Sequence, residues 1–180
     1  MSNKNPILFS FRRCPYAMRA RIAIKLCKQT CEIREISLRS KSEEFLNLSQ
    51  KGTVPVLLLP NGQIIDESLD IIKWAMSRND PFKLKSDDDN IYKEDLKLIN
   101  VFDDDFKYHL DRYKYSSHYE DANREKHRDK AQAILAEINT LLRENNWIRG
   151  DHPTLPDISI LPFVRQYRIA DTEWFDRHLN

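Results

Sequence analysis

The periodicity of this sequence breaks once, near residue 79, and the break limits the possible folds more than any other feature. Before it, short β-type runs alternate with helical ones. ILFSF (7 to 11) reads as a strand, Pro15 to Lys28 as a helix with Met18, Ile22 and Leu26 spaced by four, and Thr30 to Ser37 as a second strand. A strand, crossover helix and strand imply a parallel pair with a right-handed connection. Lys41 to Ser49 can hold a short helix, and VPVLLL (54 to 59) reads as a strand. Asn61-Gly62 is a strong hairpin signal that turns the chain into QII (63 to 65), so this second pair is antiparallel. Asp66-Glu67-Ser68 offers capping and first-turn groups to a helix running to Arg78, with Leu69, Ile72 and Met76 on one stripe.

The expected order is β-α-β-α-β-β-α on a mixed sheet over residues 1–79. NDPFKLKSDDD then supplies a linker at 80–87, and residues 88–180 read as all helix. Asp88 to Tyr115 and Glu120 to Asn145 are long helical patterns. The second carries Ala131, Ile134, Leu135, Ile138, Leu141 and Leu142 at spacings of three and four, as in an antiparallel helix pair. Gly150 ends that segment. Thr154 and Asp157 have capping-box spacing before a third helix, which carries Ile160, Leu161, Phe163, Val164 and Tyr167.

Composition narrows the partners. A net charge of +1 gives no general attraction for nucleic acid or for an anionic membrane, and no apolar run is long enough to span a bilayer. Three cysteines in 180 residues are not a disulfide scaffold, so the expected location is a reducing cytoplasm. Cys27-x-x-x-Cys31 has no second pair at zinc-ligand spacing. The acidic runs at 87 to 89 and 103 to 105 point in different directions on a helix, so no metal site is expected. His109, His118 and His127 read as surface histidines.

Cys14 is the residue that suggests chemistry. It follows Arg12 and Arg13 in the turn after the first strand, at the N-cap edge of the first helix, with Pro15 in the first turn. Free backbone N–H groups, the positive end of the helix dipole and the two arginines all favour a thiolate there. A free thiol near pKa 8.5 is only about 3% ionised at pH 7, whereas one lowered to roughly 6 is about 90% ionised. Nucleophilicity falls as pKa falls, which nearly cancels that gain for attack. The larger benefit comes when this sulfur leaves a mixed disulfide, so the position points to thiol exchange. The competing reading is a small, half-buried core residue.

The turn Cys14-Pro15-Tyr16-Ala17, the Val54-Pro55 pair and the Glu67-Ser68 pair resemble the glutathione S-transferase superfamily. Its members carry a thioredoxin-like N-terminal domain and a helical C-terminal domain. The turn, followed by Arg19-Ala20-Arg21, is most similar to the omega class. The resemblance implies that Cys14 is catalytic and glutathione the co-substrate. It further implies that Val54, before a cis-Pro55, pairs with the cysteinyl backbone of glutathione; without it, Pro55 reads as a trans proline opening an edge strand. It assigns Glu67 and Ser68 to the γ-glutamyl end, although helix capping explains the pair almost as well, and Lys41 to the glycyl carboxylate, although a solvated lysine is the plainer reading. Tyr16, Tyr108 and Tyr113 become candidates for the second-substrate pocket, although part of the aromatic cluster Phe102, Phe106, Tyr108, Tyr113 and Tyr115 must be core.

Ala17 stands where dithiol glutaredoxins have a second cysteine, so a mixed disulfide at Cys14 is released by a second glutathione. The implied activity is a monothiol thiol transferase or reductase. The alternatives are conjugation of glutathione to apolar electrophiles, or a non-catalytic binding or regulatory module. Thr154 and Asp157 are a folding element in this family, and a homodimer is implied. Relatives continue beyond the Trp174-Phe175-Asp176 segment, so a natural short form or a truncated chain is expected.

Overall fold

The computed structural model describes residues 5–120 and 123–179, so Asp121 and Ala122 in the expected second long helix lie outside the described residues. The chain divides into two compact units, Met1–Leu84 and Lys85–Asn180. No described helix is long and apolar enough to cross a membrane.

The first unit runs β1 (Ile7–Ser10), α1 (Pro15–Leu26), β2 (Glu32–Glu35), α2 (Glu43–Leu48), β3 (Val56–Leu58), β4 (Ile64–Ile65) and α3 (Ser68–Arg78). Its four strands lie in the order β2-β1-β3-β4. β1 pairs parallel with β2 and antiparallel with β3, and β3 pairs antiparallel with β4. This is the expected thioredoxin-like mixed sheet. In β1, Leu8, Phe9 and Ser10 are all buried, as a strand covered on both faces requires. Phe9 meets Phe45 of α2 at a ring separation of 5.7 Å. Helices α1 and α3 pack against each other, and α1 buries Ala17, Ala20 and Ala23, small residues that allow close approach. β3 begins only at Val56, because Pro55 has no N–H to give a ladder.

The second unit is helical: α4 (Asp89–Val101), a π-helical segment (Phe102–Phe106), α5 (Lys107–Lys114), a 3₁₀ turn (Ser116–His118), α6 (Arg124–Leu142), α7 (Leu155–Ala170) and α8 (Thr172–His178). The single long helix expected from Asp88 to Tyr115 is therefore interrupted. The π turn sets Phe102 and Phe106 one above the other, ring centroids 4.7 Å apart, and both are fully buried. Helices α5 and α6 pack together, and Phe106, Leu110, Tyr113, Leu135, Phe163 and Tyr167 are core residues. Three residues expected on buried stripes are exposed: Leu141 and Leu142 at the end of α6, and Leu161 of α7, which is 57% exposed.

The start of α7 is sewn down as its sequence implied. The Asp157 carboxylate accepts from the Thr154 N–H at 2.8 Å, the Thr154 hydroxyl at 2.6 Å and the Ile148 N–H at 2.9 Å. The capping box thus also anchors the turn that closes with the Trp147–Gly150 bridge.

Candidate active site

The site is built in the first unit, where β1 ends against α1 and α3. Cys14 is the N-cap of α1, and its N–H closes a turn onto the Phe11 carbonyl at 3.1 Å. Its carbonyl receives the Met18 N–H at 2.9 Å, so its side chain rides on the first turn of the helix. The sulfur is half-buried, and its thiol donates to the carbonyl oxygen of Val54 at 3.6 Å. The Val54–Pro55 bond is cis.

A cation that the spacing argument left aside, Arg21, bears on this sulfur. Arg12 and Arg13 are exposed, and the Arg12 N–H is committed to the Glu35 carboxylate at 2.7 Å. Arg21 lies two turns along α1. Helical side chains lean toward the N-terminus, which carries its guanidinium back to the Cys14 turn. There it donates to the Ser10 hydroxyl, to the Phe11 carbonyl at 3.3 Å and to the Arg12 carbonyl at 3.1 Å. Burial pulls Arg21 below the ordinary guanidinium value, while the charges of Glu35 and of an ionised Cys14 push it back up. The spacing of seven between Cys14 and Arg21 was the available signal, because it places both on one helix face.

Burial disfavours the thiolate form of the other two cysteines. Cys27 is fully buried, and burial, with a smaller contribution from Asp80, pushes its thiol up to about 11. Burial also raises Cys31. All three thiols are free.

Around Cys14 and Val54, contacts link the remaining candidates of this unit. Gly52 has a φ of +60°, and a Cβ there would stand 3.3 Å from the Lys41 ammonium, so exposed Lys41 arches over the loop that leads to Val54. Lys51 forms ion pairs with Asp66, at 3.4 Å, and with Glu67. This corrects the capping expectation: Glu67 is the N-cap of α3 but makes no side-chain cap bond, and its carboxylate turns outward to Lys51. Ser68 opens α3 and is buried. Its hydroxyl oxygen accepts from Arg19 Nε at 3.0 Å and from an Arg19 terminal nitrogen at 2.9 Å. The Arg19 guanidinium also lies 5.0 Å from the ring centre of Tyr16, which is half-buried.

In the second unit Tyr113 is 1% exposed and packs against Tyr167 at 5.2 Å, within the helical core. Tyr108 is 50% exposed, with the Arg112 guanidinium 3.5 Å over its ring. His109 and His127 are not independent surface groups. Their Nδ1 atoms lie 2.8 Å apart in a hydrogen bond between α5 and α6, whereas His118 is exposed. Among the described residues no group of three or more His, Cys, Asp or Glu side chains could hold a metal ion.

Residues 8–82 match the family model of the glutathione S-transferase N-terminal domain, and residues 121–179 match that of its C-terminal domain. The chain belongs to the glutathione S-transferase superfamily. A probable glutathione transferase of Aplysia californica is 40% identical over 58 residues, which is 32% of this chain and 62% of that protein. The chain thus spans under two thirds of that relative. Glutathione transferase Omega 3C from Trametes versicolor superposes with a TM-score of 0.82 at 20% identity, over 98% of this chain and 79% of the other. A glutathione transferase family member from Pseudomonas fluorescens, solved with two glutathione bound, superposes with a TM-score of 0.79 at 18% identity, over 96% and 84%. At these identities the superpositions establish the fold shared with the superfamily.

Proposed function

We propose that this member of the superfamily is an omega-like monothiol thiol transferase that works through a mixed disulfide of Cys14 with glutathione. The observation that carries the reading is the placement of Cys14: a half-buried thiol at a helix N-terminus, hydrogen-bonded to the carbonyl before the cis peptide bond, beside Arg21. The helix N-terminus and the guanidinium favour the thiolate, which forms by giving up the bond that the neutral thiol donates to the Val54 carbonyl.

In the first step the Cys14 thiolate attacks the glutathione sulfur of a substrate R–S–SG. The substrate thiolate leaves and takes a proton from solvent. In the second step a glutathione thiolate attacks the same sulfur, releasing oxidised glutathione and regenerating the Cys14 thiolate. Ala17 provides no internal thiol to intervene, and Cys27 is buried with its thiol pushed up.

Val54 pairs with the cysteinyl backbone of glutathione beside Pro55, and Lys41 meets its glycyl carboxylate. Ser68 holds the γ-glutamyl carboxylate, and Glu67 receives the γ-glutamyl ammonium in place of Lys51. The Lys51–Glu67 pair is exposed and of the kind worth little, so this exchange costs little. Tyr16 borders the second substrate. Three free thiols suit a reducing, cytoplasmic setting, and a homodimer is the assembly that accompanies this reading.

The test compares two assays on one preparation: reduction of a small mixed disulfide with glutathione, and conjugation of glutathione to an aryl halide. Reduction should dominate and disappear in Cys14→Ala. Dominant conjugation that survives the substitution would refute the proposal in favour of a conjugating transferase. Absence of both activities and of glutathione binding would favour a non-catalytic module.

A further inference from the structure

Lys51 presents its ammonium to two carboxylates beside the start of α3. It pairs with Asp66 at 3.4 Å and, through a hydrogen bond, with Glu67, and all three side chains are exposed. That hydrogen bond first, and the charges of Glu67 and Asp66 after it, hold the ammonium above its ordinary value. Glu67 is the N-cap of α3, yet its side chain makes no cap bond and is committed to Lys51. The lysine arrives from a turn 16 residues back along the chain, closed by the Gly52 N–H on the Ser49 carbonyl at 2.9 Å. A primary ammonium of the chain itself thus occupies the carboxylate that the γ-glutamyl ammonium of glutathione would take.

This arrangement fixes the balance of binding. A ligand that brings an ammonium to Glu67 must displace Lys51, so one exposed ammonium–carboxylate pair is exchanged for another of the same chemistry and the net gain is close to zero. A ligand with no ammonium leaves Lys51 where it is, and neither carboxylate loses its cation. Without Lys51 the balance changes. Asp66 and Glu67 are then adjacent like charges with no cation between them, and a ligand ammonium adds an attraction that nothing offsets.

We infer that Lys51 is a specificity-determining residue that stands in for the ligand's α-ammonium at Glu67, making the site indifferent to whether its thiol tripeptide carries a free amine. The inference rests on the reading that the γ-glutamyl end of glutathione lies at Glu67 and Ser68. It widens the ligand class from glutathione to relatives without that amine.

The probes are glutathione and 4-carboxybutanoyl-cysteinyl-glycine, the same tripeptide without its α-ammonium. Each is titrated calorimetrically into the full chain at about 0.05 M salt, where exposed charges are weakly screened. The native protein should bind the two within about two-fold of each other. Lys51→Met should favour glutathione by about three-fold or more, and salt at about 0.5 M should remove most of that preference. Lys51→Arg, which keeps the cation, should behave as the native protein does. Glu67→Gln added to Lys51→Met should bring the two affinities back together.

A native protein that already prefers glutathione by about three-fold or more, and loses the preference in Glu67→Gln, would overturn the stand-in role and leave the underlying reading intact. Equal affinities in the native protein and in Lys51→Met alike would place the ligand's ammonium away from Glu67 and overturn that reading. A preference in Lys51→Met that survives Glu67→Gln would do the same, as would a chain that binds neither tripeptide.

Discussion

The thiol of Cys14 donates to the carbonyl oxygen of Val54, 3.6 Å away, across 40 residues of sequence. The contact joins the opening of α1 to the cis bond before β3, so the sulfur and the backbone proposed to hold a tripeptide are positioned by one another. The first unit is organised around that junction: β1 delivers Cys14, the loop after α2 delivers Val54, and Phe9, Phe45, Ala17 and Val56 pack beneath both.

Arg21 ties the Cys14 turn to β1 and is electrostatically coupled to the sulfur. Replacing it with methionine should move the alkylation midpoint of Cys14 to higher pH by about one unit, the scale of one nearby opposite charge. Iodoacetamide labelling rates measured against pH check this. The same replacement at Arg12, whose N–H rather than its side chain holds Glu35, should move the midpoint by much less.

Asp157 accepts three hydrogen bonds from Thr154 and Ile148 in a buried setting. Asp157→Ala strands those donors and should destabilise the helical unit by about 1–3 kcal/mol. Urea unfolding followed by circular dichroism measures the loss. Thr154→Ala removes one donor with its bond and should cost less.

Burial, reinforced by the charge of His127, holds His109 below its ordinary value of 6.5. His127 is lowered by burial, then by Arg112 and Lys126, while Asp105 works the other way on His109 and Lys130 and Arg112 lower it. With folded values below the unfolded value, the unfolded chain binds more protons in the window just below pH 6.5. Stability is therefore fully present above that pH and is lost as pH falls through it. Urea midpoints between about pH 7.5 and 5 should fall, and His127→Gln should flatten the slope. A slope unchanged by the substitution would assign the acid sensitivity to other groups.

Lys41 arches over Gly52, at the end of the site given to the glycyl carboxylate. Lys41→Ala should weaken glutathione binding about three-fold at low salt and less at high salt, as expected for an exposed charge. The glycyl ethyl ester of glutathione should be insensitive to the substitution. Gly52→Ala should weaken binding and also lower stability by about 1 kcal/mol, because φ of +60° disfavours a Cβ.

What the sequence revealed was mostly local. ILFSF, the stripe of Met18, Ile22 and Leu26, the Asn61-Gly62 turn and the Thr154–Asp157 spacing each carry their structure within a few residues, and each element formed where its period placed it. The cis state of Val54–Pro55 was legible only through resemblance, because an X-Pro pair looks the same in either isomer. The failures are long-range. Phe102 and Phe106 fit an α-helical stripe, and the π turn between them is seen only once the core is assembled. Aromatic character did not tell buried Tyr113 from exposed Tyr108. The short helix α8 passed unnoticed, since Thr172–His178 carries too few apolar residues to show a period. The partners of Arg19, Lys51 and His109 lie 49, 16 and 18 residues away, beyond any spacing rule.

The central claim is that Cys14 alone carries glutathione as a covalent intermediate, and intact mass after incubation with oxidised glutathione tests it most directly. The native chain should gain one glutathione, lose it on addition of reduced glutathione, and gain none in Cys14→Ala. An adduct that persists in Cys14→Ala, which would place the chemistry on Cys31 or Cys27, or a native chain that takes up no glutathione, would contradict it.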